Sequence, residues 1–450
     1  MNFLGIDIGT SSICGVAYDT SSKHVISITK ANNANITSFN VWEQKQDAEI
    51  IVRIVLNLIQ EIKSKCPIIQ GIGLSGQMHG IVYINSKGEA VSPLYTWQDA
   101  RGDLSYKKGL SYAAYLSQKV GLSLSSGFGL VTHFYNKENK LVPPEAVKIC
   151  TIMDYVAMRL TKRKKPLTEY SNAASLGFFD CERLTFDEQV LDNLEIDTSI
   201  LPDVDKSSSL VGYFEETPVY VAIGDNQASF IGSVRSIEHS IHVTVGTSAQ
   251  ISAYSQTYEK ISSLDTRPLP GGGYILVGAA LCGGYSFSLL NKFFSETIKL
   301  CTGIEMTDSD LYKIMVSIPY KKEQKNDLQV DTLFDGTRLH PNSRGKIINI
   351  SRSNWTPENL ILGFLRGISQ ELFDFYELLP SSIKKGKDLL IGSGNGIRKN
   401  PLLCQIIEDR FGHSLQVSKC KEEAALGACI CGMVGAEYLK HFSDFDYEVD

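Results

Sequence analysis

Short apolar runs and amphipathic stretches alternate along this chain. Phe3-Leu4-Gly5-Ile6-Asp7-Ile8 has the length and character of a buried strand, and the turn Gly9-Thr10-Ser11-Ser12 follows it. Gly15-Val16-Ala17-Tyr18 predicts a second strand. Residues 47–63 predict a helix, because Ile51, Ile54, Val55, Leu58 and Ile62 fall on one face at helical spacing. Residues 68–74 and 80–84 read as strands on either side of Ser75-Gly76-Gln77-Met78-His79, and 219–223 as a strand ending at Gly224-Asp225. Another strand is predicted at 241–245, before Gly246-Thr247-Ser248. Thr356, Pro357 and Glu358 form a helix start, with Pro380 as the stop. Leu389-Leu390-Ile391 predicts a strand running into Gly392-Ser393-Gly394-Asn395-Gly396. A helix after Pro401 carries Leu402, Leu403, Ile406, Ile407 and Phe411, and an Ala/Gly-rich helix is predicted over 422–439. Strands alternating with helices make the class α/β.

One unit occurs twice. Ile8-Gly9-Thr10-Ser11 returns as Val245-Gly246-Thr247-Ser248 about half the chain later. A strand, a glycine and two hydroxyl residues repeated at that interval suggest a duplicated domain with two hairpins. The linker is expected near 233–238, dividing the chain into domains 1–235 and 236–450.

Composition removes several classes. Lys and Arg total 44 against 50 Asp and Glu, so the net charge is −6, with 43% hydrophobic and 21% charged residues. Those values fit a folded globular chain and exclude disorder, collagen or coiled coil as the main architecture. A mildly acidic chain lacks the basic surface that a nucleic-acid partner requires. The basic run Lys162-Arg163-Lys164-Lys165 before Pro166 reads as a solvated loop. Ten cysteines are scattered without a CxxC pair, as expected of free thiols in a reducing compartment. The histidines form no HExxH, and His239 and His242 read as structural residues approaching a strand. The uncharged stretch 268–291 holds two prolines and six glycines, which predicts turns and a tight strand and argues against a membrane helix. A soluble, cytoplasmic protein without a membrane partner, monomeric or homodimeric, is expected.

Candidate chemistry is concentrated at the glycines. Gly71, Gly73 and Gly76 match a dinucleotide fingerprint, with Asp99 downstream, but the residues after them predict turn and strand where the fingerprint needs a helix. No G-x-x-x-x-G-K-[ST] occurs. The two Gly-Thr-Ser turns are better phosphate sites, since glycine admits close backbone approach and hydroxyls add donors. Asp7 precedes the first turn and is placed to hold Mg²⁺ beside phosphates. Asp225 at a strand end is placed to take a proton from a substrate hydroxyl. Either aspartate taken singly reads better as a helix cap.

Gly5-Ile6-Asp7-Ile8-Gly9-Thr10-Ser11-Ser12, Gly224-Asp225-Asn226-Gln227 and Val245-Gly246-Thr247-Ser248 resemble the phosphate and catalytic motifs of the FGGY carbohydrate kinases. Phe334-Asp335-Gly336-Thr337-Arg338 with Arg344-Gly345 is similar to that family's second-domain segment. Gly392-Ser393-Gly394 with Gln405-Ile406 resembles its adenosine motif, and 423–428 its closing helix. The resemblance covers almost the whole chain. It implies two actin-like, ribonuclease-H-like ATPase domains with ATP and sugar in an interdomain cleft, the sugar on the N-terminal domain and the nucleotide on the C-terminal one. It implies Asp225 as general base, Mg²⁺ at Asp7 and Asp225, and ATP contacts from Thr10, Ser11, Ser12, Gly246, Thr247, Gly284, Gly394, Asn395 and Asn400. Sugar contacts are expected from Gln77, Met78, His79, Trp97, Gln98, Asp99 and Asn226.

Within the family, Gln77-Met78-His79-Gly80 is similar to members acting on xylulose or sedoheptulose. The glycerol-phosphorylating members carry Arg-Glu where Met78-His79 stands. Trp97-Gln98-Asp99-x-Arg101, Gly127-Phe128-Gly129, Asp154-Tyr155-Val156 and Asn172-Ala173-Ala174-Ser175 resemble the sedoheptulose-phosphorylating members most. The expected reaction is ATP-dependent phosphorylation of a ketose at its terminal hydroxyl. A pentulose such as xylulose is the alternative, and a non-catalytic sugar-binding actin-like protein the alternative of another class. One position departs from the family: Cys14 stands where a Lys or Arg usually follows the first phosphate turn.

Overall fold

The computed structural model describes every residue except Arg235, Arg338, Leu339, Pro341 and 446–450. Arg338 of the second-domain segment, Arg235 of the expected linker and the last five residues of the expected second domain thus lie outside the described residues.

The chain forms two compact units. The first unit is built on a sheet whose strands run Leu210–Phe214, Thr217–Tyr220, Ile69–Gly76, Asn2–Ile8, Ser12–Asp19 and Val25–Ala31, with Ile223–Gly224 also paired to Ile69–Gly76. Asn2–Ile8 is antiparallel to Ser12–Asp19 and parallel to Ile69–Gly76. The helix Ala48–Lys65 begins at Asp47, whose carboxylate accepts the N–H groups of Glu49 and Ile50 at 2.8 and 3.0 Å. Its buried face, Ile51, Val55, Leu58 and Ile62, joins the core over this sheet. A second apolar cluster, with Tyr83, Leu116, Phe134 and Leu176 buried, underlies the residues between 81 and 201.

The second unit repeats the pattern. Ser240–Val245 is antiparallel to Ala249–Ser255 and parallel to Leu389–Ser393. Tyr274–Ala280 and Leu415–Val417 extend the sheet on its two sides. The expected helix starts at Pro357 with Thr356 as cap and runs to Glu377. Both Gly-Thr-Ser segments therefore join the strands of a hairpin whose first strand has a parallel neighbour.

Several expectations are corrected. Beside the boundary expected at 235/236, the first unit, Met1–Gly232, also takes in Arg267–Gly273 and Glu422–Phe445. The closing helix, Glu423–Gly435, packs on the first sheet. Gly5 and Gly73 have no Cβ, and one at either would overlap the backbone carbonyls of Ala425 and Ala428. That helix stops short of the expected 439, and Glu437 adopts φ 59° just beyond it. The stretch 268–291 contains the strand Tyr274–Ala280, but its last residues open the helix Gly284–Thr302. The expected strand 219–223 is two pieces, Thr217–Tyr220 and Ile223–Gly224, and Asp225 opens the helix Asp225–Ser233. Gly71, Gly73 and Gly76 lie inside the strand Ile69–Gly76, so no helix dipole faces a pyrophosphate there. Among the described residues, no helix is long and apolar enough to cross a membrane.

Candidate active site

Sheet register assembles two carboxylates. Asp7 lies opposite Ser75, and Ser75 lies opposite Ile223, two residues before Asp225. Ser75 Oγ donates to Asp7 Oδ1 at 2.7 Å. Burial pushes the Asp7 carboxyl up to about 6, and Glu422 adds to the rise, while the Ser75 bond opposes it. Burial also pushes Asp225 up, to about 7, and repulsion from Asp7 adds to it. The Asn226 N–H, donating to Asp225 Oδ1 at 2.7 Å, and the Arg267 guanidinium pull the other way. Arg267 also donates to Asn226 Oδ1 at 3.2 Å. Asp225 is a half-buried residue whose carboxyl is raised to about 7, a value that suits a general base.

The first Gly-Thr-Ser turn is anchored through its carbonyls. Gly9 O accepts from Asn32 Nδ2 at 2.9 Å, Thr10 O from Gln46 Nε2 at 2.8 Å and Ser11 O from Asn32 N at 2.9 Å. The Thr10 hydroxyl accepts from Trp97 Nε1 at 3.0 Å and donates to Gln77 Oε1 at 3.3 Å. Gln77 in turn donates through Nε2 to Gln46 Oε1 at 2.9 Å. One hydrogen-bonded chain therefore joins the expected phosphate residue Thr10 to the expected sugar residues Trp97 and Gln77. Ser11 is exposed and Ser12 half-buried at the start of the second strand.

The other expected sugar residues divide into groups. Trp97 and Gln98 are exposed, and Asn226 is half-buried at the start of its helix. His79 takes φ 73°, stacks on Phe128 at 4.6 Å, and is bonded to Ser175 through its backbone N–H and Nδ1. Met78 is buried and lies against the backbone of Gly224. Asp99 is fully buried and fully used: its oxygens accept Arg101 Nε at 2.6 Å, Arg101 Nη2 at 3.1 Å and Gln44 N at 3.1 Å. The Arg101 guanidinium lies 4.1 Å from the Tyr95 ring centre. Asp99 and Arg101 thereby brace the loop that presents Trp97 and Gln98.

In the second unit, Gly246 and Thr247 turn their carbonyls to the helix Gly284–Thr302, accepting Gly284 N at 2.8 Å and Tyr285 N at 3.0 Å. This satisfies helix N–H groups that have no intrahelical partner. Gly394 takes φ 84° beside the Val245 carbonyl, where a Cβ would collide, and Asn395 is exposed at the start of the helix Asn395–Arg398. Asn400 is buried as the cap of Pro401–Phe411, accepting Leu403 N at 2.9 Å. His242, expected to be structural, is buried and meets Ser393 Oγ at 2.8 Å.

Cys14 is buried beside Thr29 and Glu422, and burial pushes its thiol far up. All ten cysteines are free thiols. Among the described residues, no group of three or more His, Cys, Asp or Glu could hold a metal. Magnesium keeps several waters and takes one or two carboxylates plus substrate phosphate, so the Asp7–Asp225 pair fits it. Sequence reading missed Asn32, Gln46, Ser75, Ser171, Ser175 and Arg267. Each reaches the site through isolated hydrogen bonds or a charge, which leave no motif.

The family model described as the FGGY family of carbohydrate kinases, N-terminal domain, matches residues 2–232, and its C-terminal counterpart matches 243–436. The chain belongs to the FGGY family of carbohydrate kinases and is a phosphotransferase acting on a sugar. It is 27% identical to the sedoheptulokinase of Homo sapiens, over 95% of this chain and 96% of that one. It is 24% identical to the xylulose kinase of Lactococcus lactis subsp. lactis, over 96% of this chain and 87% of that one. The solved xylulose kinase of Lactobacillus acidophilus superposes with TM-score 0.85 at 21% identity, covering 100% of this chain and 92% of that one. That likeness carries the fold, a two-domain actin-like ATPase.

Proposed function

We propose that this kinase phosphorylates the terminal hydroxyl of a ketose, with sedoheptulose as the preferred substrate, yielding sedoheptulose 7-phosphate. ATP is the family's phosphoryl donor. The observation that carries the reading is Asp225, a carboxyl raised to about 7 at the start of a helix, beside Asp7 and within the same unit as Trp97 and His79. Asp225 takes the proton of the sugar hydroxyl as the hydroxyl oxygen attacks the γ-phosphorus in line, and the bond from that phosphorus to the β–γ bridging oxygen breaks, releasing ADP. Mg²⁺, when bound at Asp7 and Asp225, supplies positive charge that offsets the phosphates. Thr10, Ser11, Ser12, Gly246 and Thr247 donate to phosphate oxygens, while Gly284, Gly394, Asn395 and Asn400 shape the nucleotide site. Trp97, Gln98, His79, Gln77 and Asn226 orient the sugar, with Met78 packed beneath and Asp99 acting through Arg101. Positioning and electrostatics supply most of the acceleration in such phosphoryl transfers.

Sedoheptulose rests on the segments around Trp97, Phe128, Asp154 and Asn172 and on similarity to the human sedoheptulokinase. Xylulose is the second reading, favoured by the xylulose kinases among the relatives. A coupled ADP-release assay across ketoses of five to seven carbons, with glycerol as control, tests both. The highest kcat/KM is expected with sedoheptulose. A tenfold advantage for xylulose or ribulose replaces it with a pentulose kinase, and silence with every sugar leaves a non-catalytic sugar binder.

A further inference from the structure

A six-residue helix, Tyr170–Ser175, lies inside the first unit with Ser171 and Asn172 fully buried and Ser175 nearly so. Its polar side chains reach two different parts of the site. At one end, Ser171 Oγ donates to Glu169 Oε2 and accepts the N–H of Gly224 at 3.0 Å. Asn172 Nδ2 donates to Ala222 O at 2.9 Å. At the other end, Ser175 Oγ accepts the His79 N–H at 3.1 Å, and Ser175 O meets His79 Nδ1 at 2.7 Å.

Each bond has a directional reason. A hydroxyl carries one proton and two lone pairs. Glu169 Oε2 takes the proton of Ser171, so the lone pairs are turned toward Gly224. The same carboxylate oxygen accepts Ser171 N at 2.7 Å, which fixes the acid itself. Gly224 is the residue before Asp225, so the bond holds the peptide from which the base projects. His79 sits in the left-handed region at φ 73°, which a residue with a side chain rarely adopts. Its two bonds to Ser175 hold it there, with its ring on Phe128.

We infer that the helix Tyr170–Ser175 positions both halves of the reaction: Ser171 and Asn172 aim the carboxylate of Asp225, and Ser175 holds His79 against the sugar. Ser171, Asn172 and Ser175 are positioning residues, with Glu169 setting the direction of Ser171. The assignment rests on Asp225 as proton acceptor and His79 as sugar contact. It predicts that the two ends of one helix control different constants.

The test compares Ser171→Ala, Ser175→Ala and Ser171→Thr in the full chain. Turnover is followed with sedoheptulose and ATP–Mg²⁺, sedoheptulose affinity by calorimetry, and amide exchange over 222–226 by mass spectrometry. Misplacement by about 1 Å can cost about 10²-fold in rate. Ser171→Ala is therefore expected to lower kcat by about 10–100-fold, with sedoheptulose Kd within about threefold. Ser175→Ala should do the reverse, weakening sedoheptulose about five- to tenfold with the smaller loss in kcat. Ser171→Thr keeps the hydroxyl and should restore kcat to within about fivefold. Exchange over 222–226 should quicken in Ser171→Ala and remain slow in Ser175→Ala. If Ser171→Ala does not fold, Ser171→Cys, similar in shape and a poor acceptor, carries the same expectation. Equal effects of the two alanine variants on kcat and Kd would overturn the inference, as would unchanged exchange at 222–226 in Ser171→Ala. A parent enzyme without turnover on any ketose defeats the functional reading instead, and the exchange data then still decide whether Ser171 holds the segment before Asp225.

Discussion

Replacing Asp225 by Asn should abolish turnover and stabilise the fold, and the two effects share one cause. The amide keeps the shape of the carboxyl but cannot accept a proton, and loss of a general base costs about 10²–10⁴-fold. The stability term follows from linkage. Asp225 rises from an ordinary 3.8 to about 7, first by burial and then by repulsion from Asp7. That gap corresponds to about 4 kcal/mol against the ionised form in the folded state. Partial exposure of the residue reduces the usable part, so about 1–3 kcal/mol is expected. The folded state holds this proton more tightly than the unfolded chain. The parent therefore loses stability as pH rises from 3.8 through about 7. The Asn side chain is neutral throughout, so its advantage is absent near about pH 4 and complete above about pH 7. Thermal melts without nucleotide or metal should show Asp225→Asn above the parent by about 3–8 °C at alkaline pH and level with it near about pH 4. A variant that melts lower at alkaline pH, or turns over within a few-fold of the parent, refutes the reasoning.

Three further outcomes are expected. Gly73→Ala places a methyl inside the Ala428 carbonyl contact and should cost about 2–4 kcal/mol, read as a lower Tm; an unchanged melt would refute the packing argument. Trp97→Phe keeps a ring but removes the bond to Thr10, worth about 1 kcal/mol, so kcat/KM should fall about fivefold; no change in steady-state kinetics would remove Trp97 from the chain to the phosphate turn. Cys14→Lys puts a cation beside Glu422 and the first phosphate turn, so the KM for ATP should hold or fall, and a strong rise measured at saturating ketose would count against it.

Local chemistry was legible because it obeys local rules. Asp47 and Thr356 cap the helices that the residues after them announce, since a capping side chain meets N–H groups two or three positions away. The two Gly-Thr-Ser segments were readable as turns between strands because glycine and short hydroxyl residues end an apolar run in the same way each time. Long-range partners left no such trace. Nothing near Asp99 reveals that Gln44 N also donates to it, and nothing near Thr10 reveals that Gln77 and Trp97 are the partners of its hydroxyl.

What the sequence by itself determined is the α/β alternation, the duplicated hairpin and the candidate residues Asp7, Thr10, Asp225 and Gly246, set by periodicity, turn chemistry and short spacing, with Gly394 added by resemblance to the family. Tertiary structure alone decided which of them act on one another. Sheet register brought Asp225 beside Asp7 through Ser75, although more than two hundred residues of chain separate them. The same packing returned the closing helix to the first sheet and turned a six-residue helix toward both Gly224 and His79. Those pairings depend on which faces can be buried together, and burial is a property of the whole fold, so no window of sequence contains it.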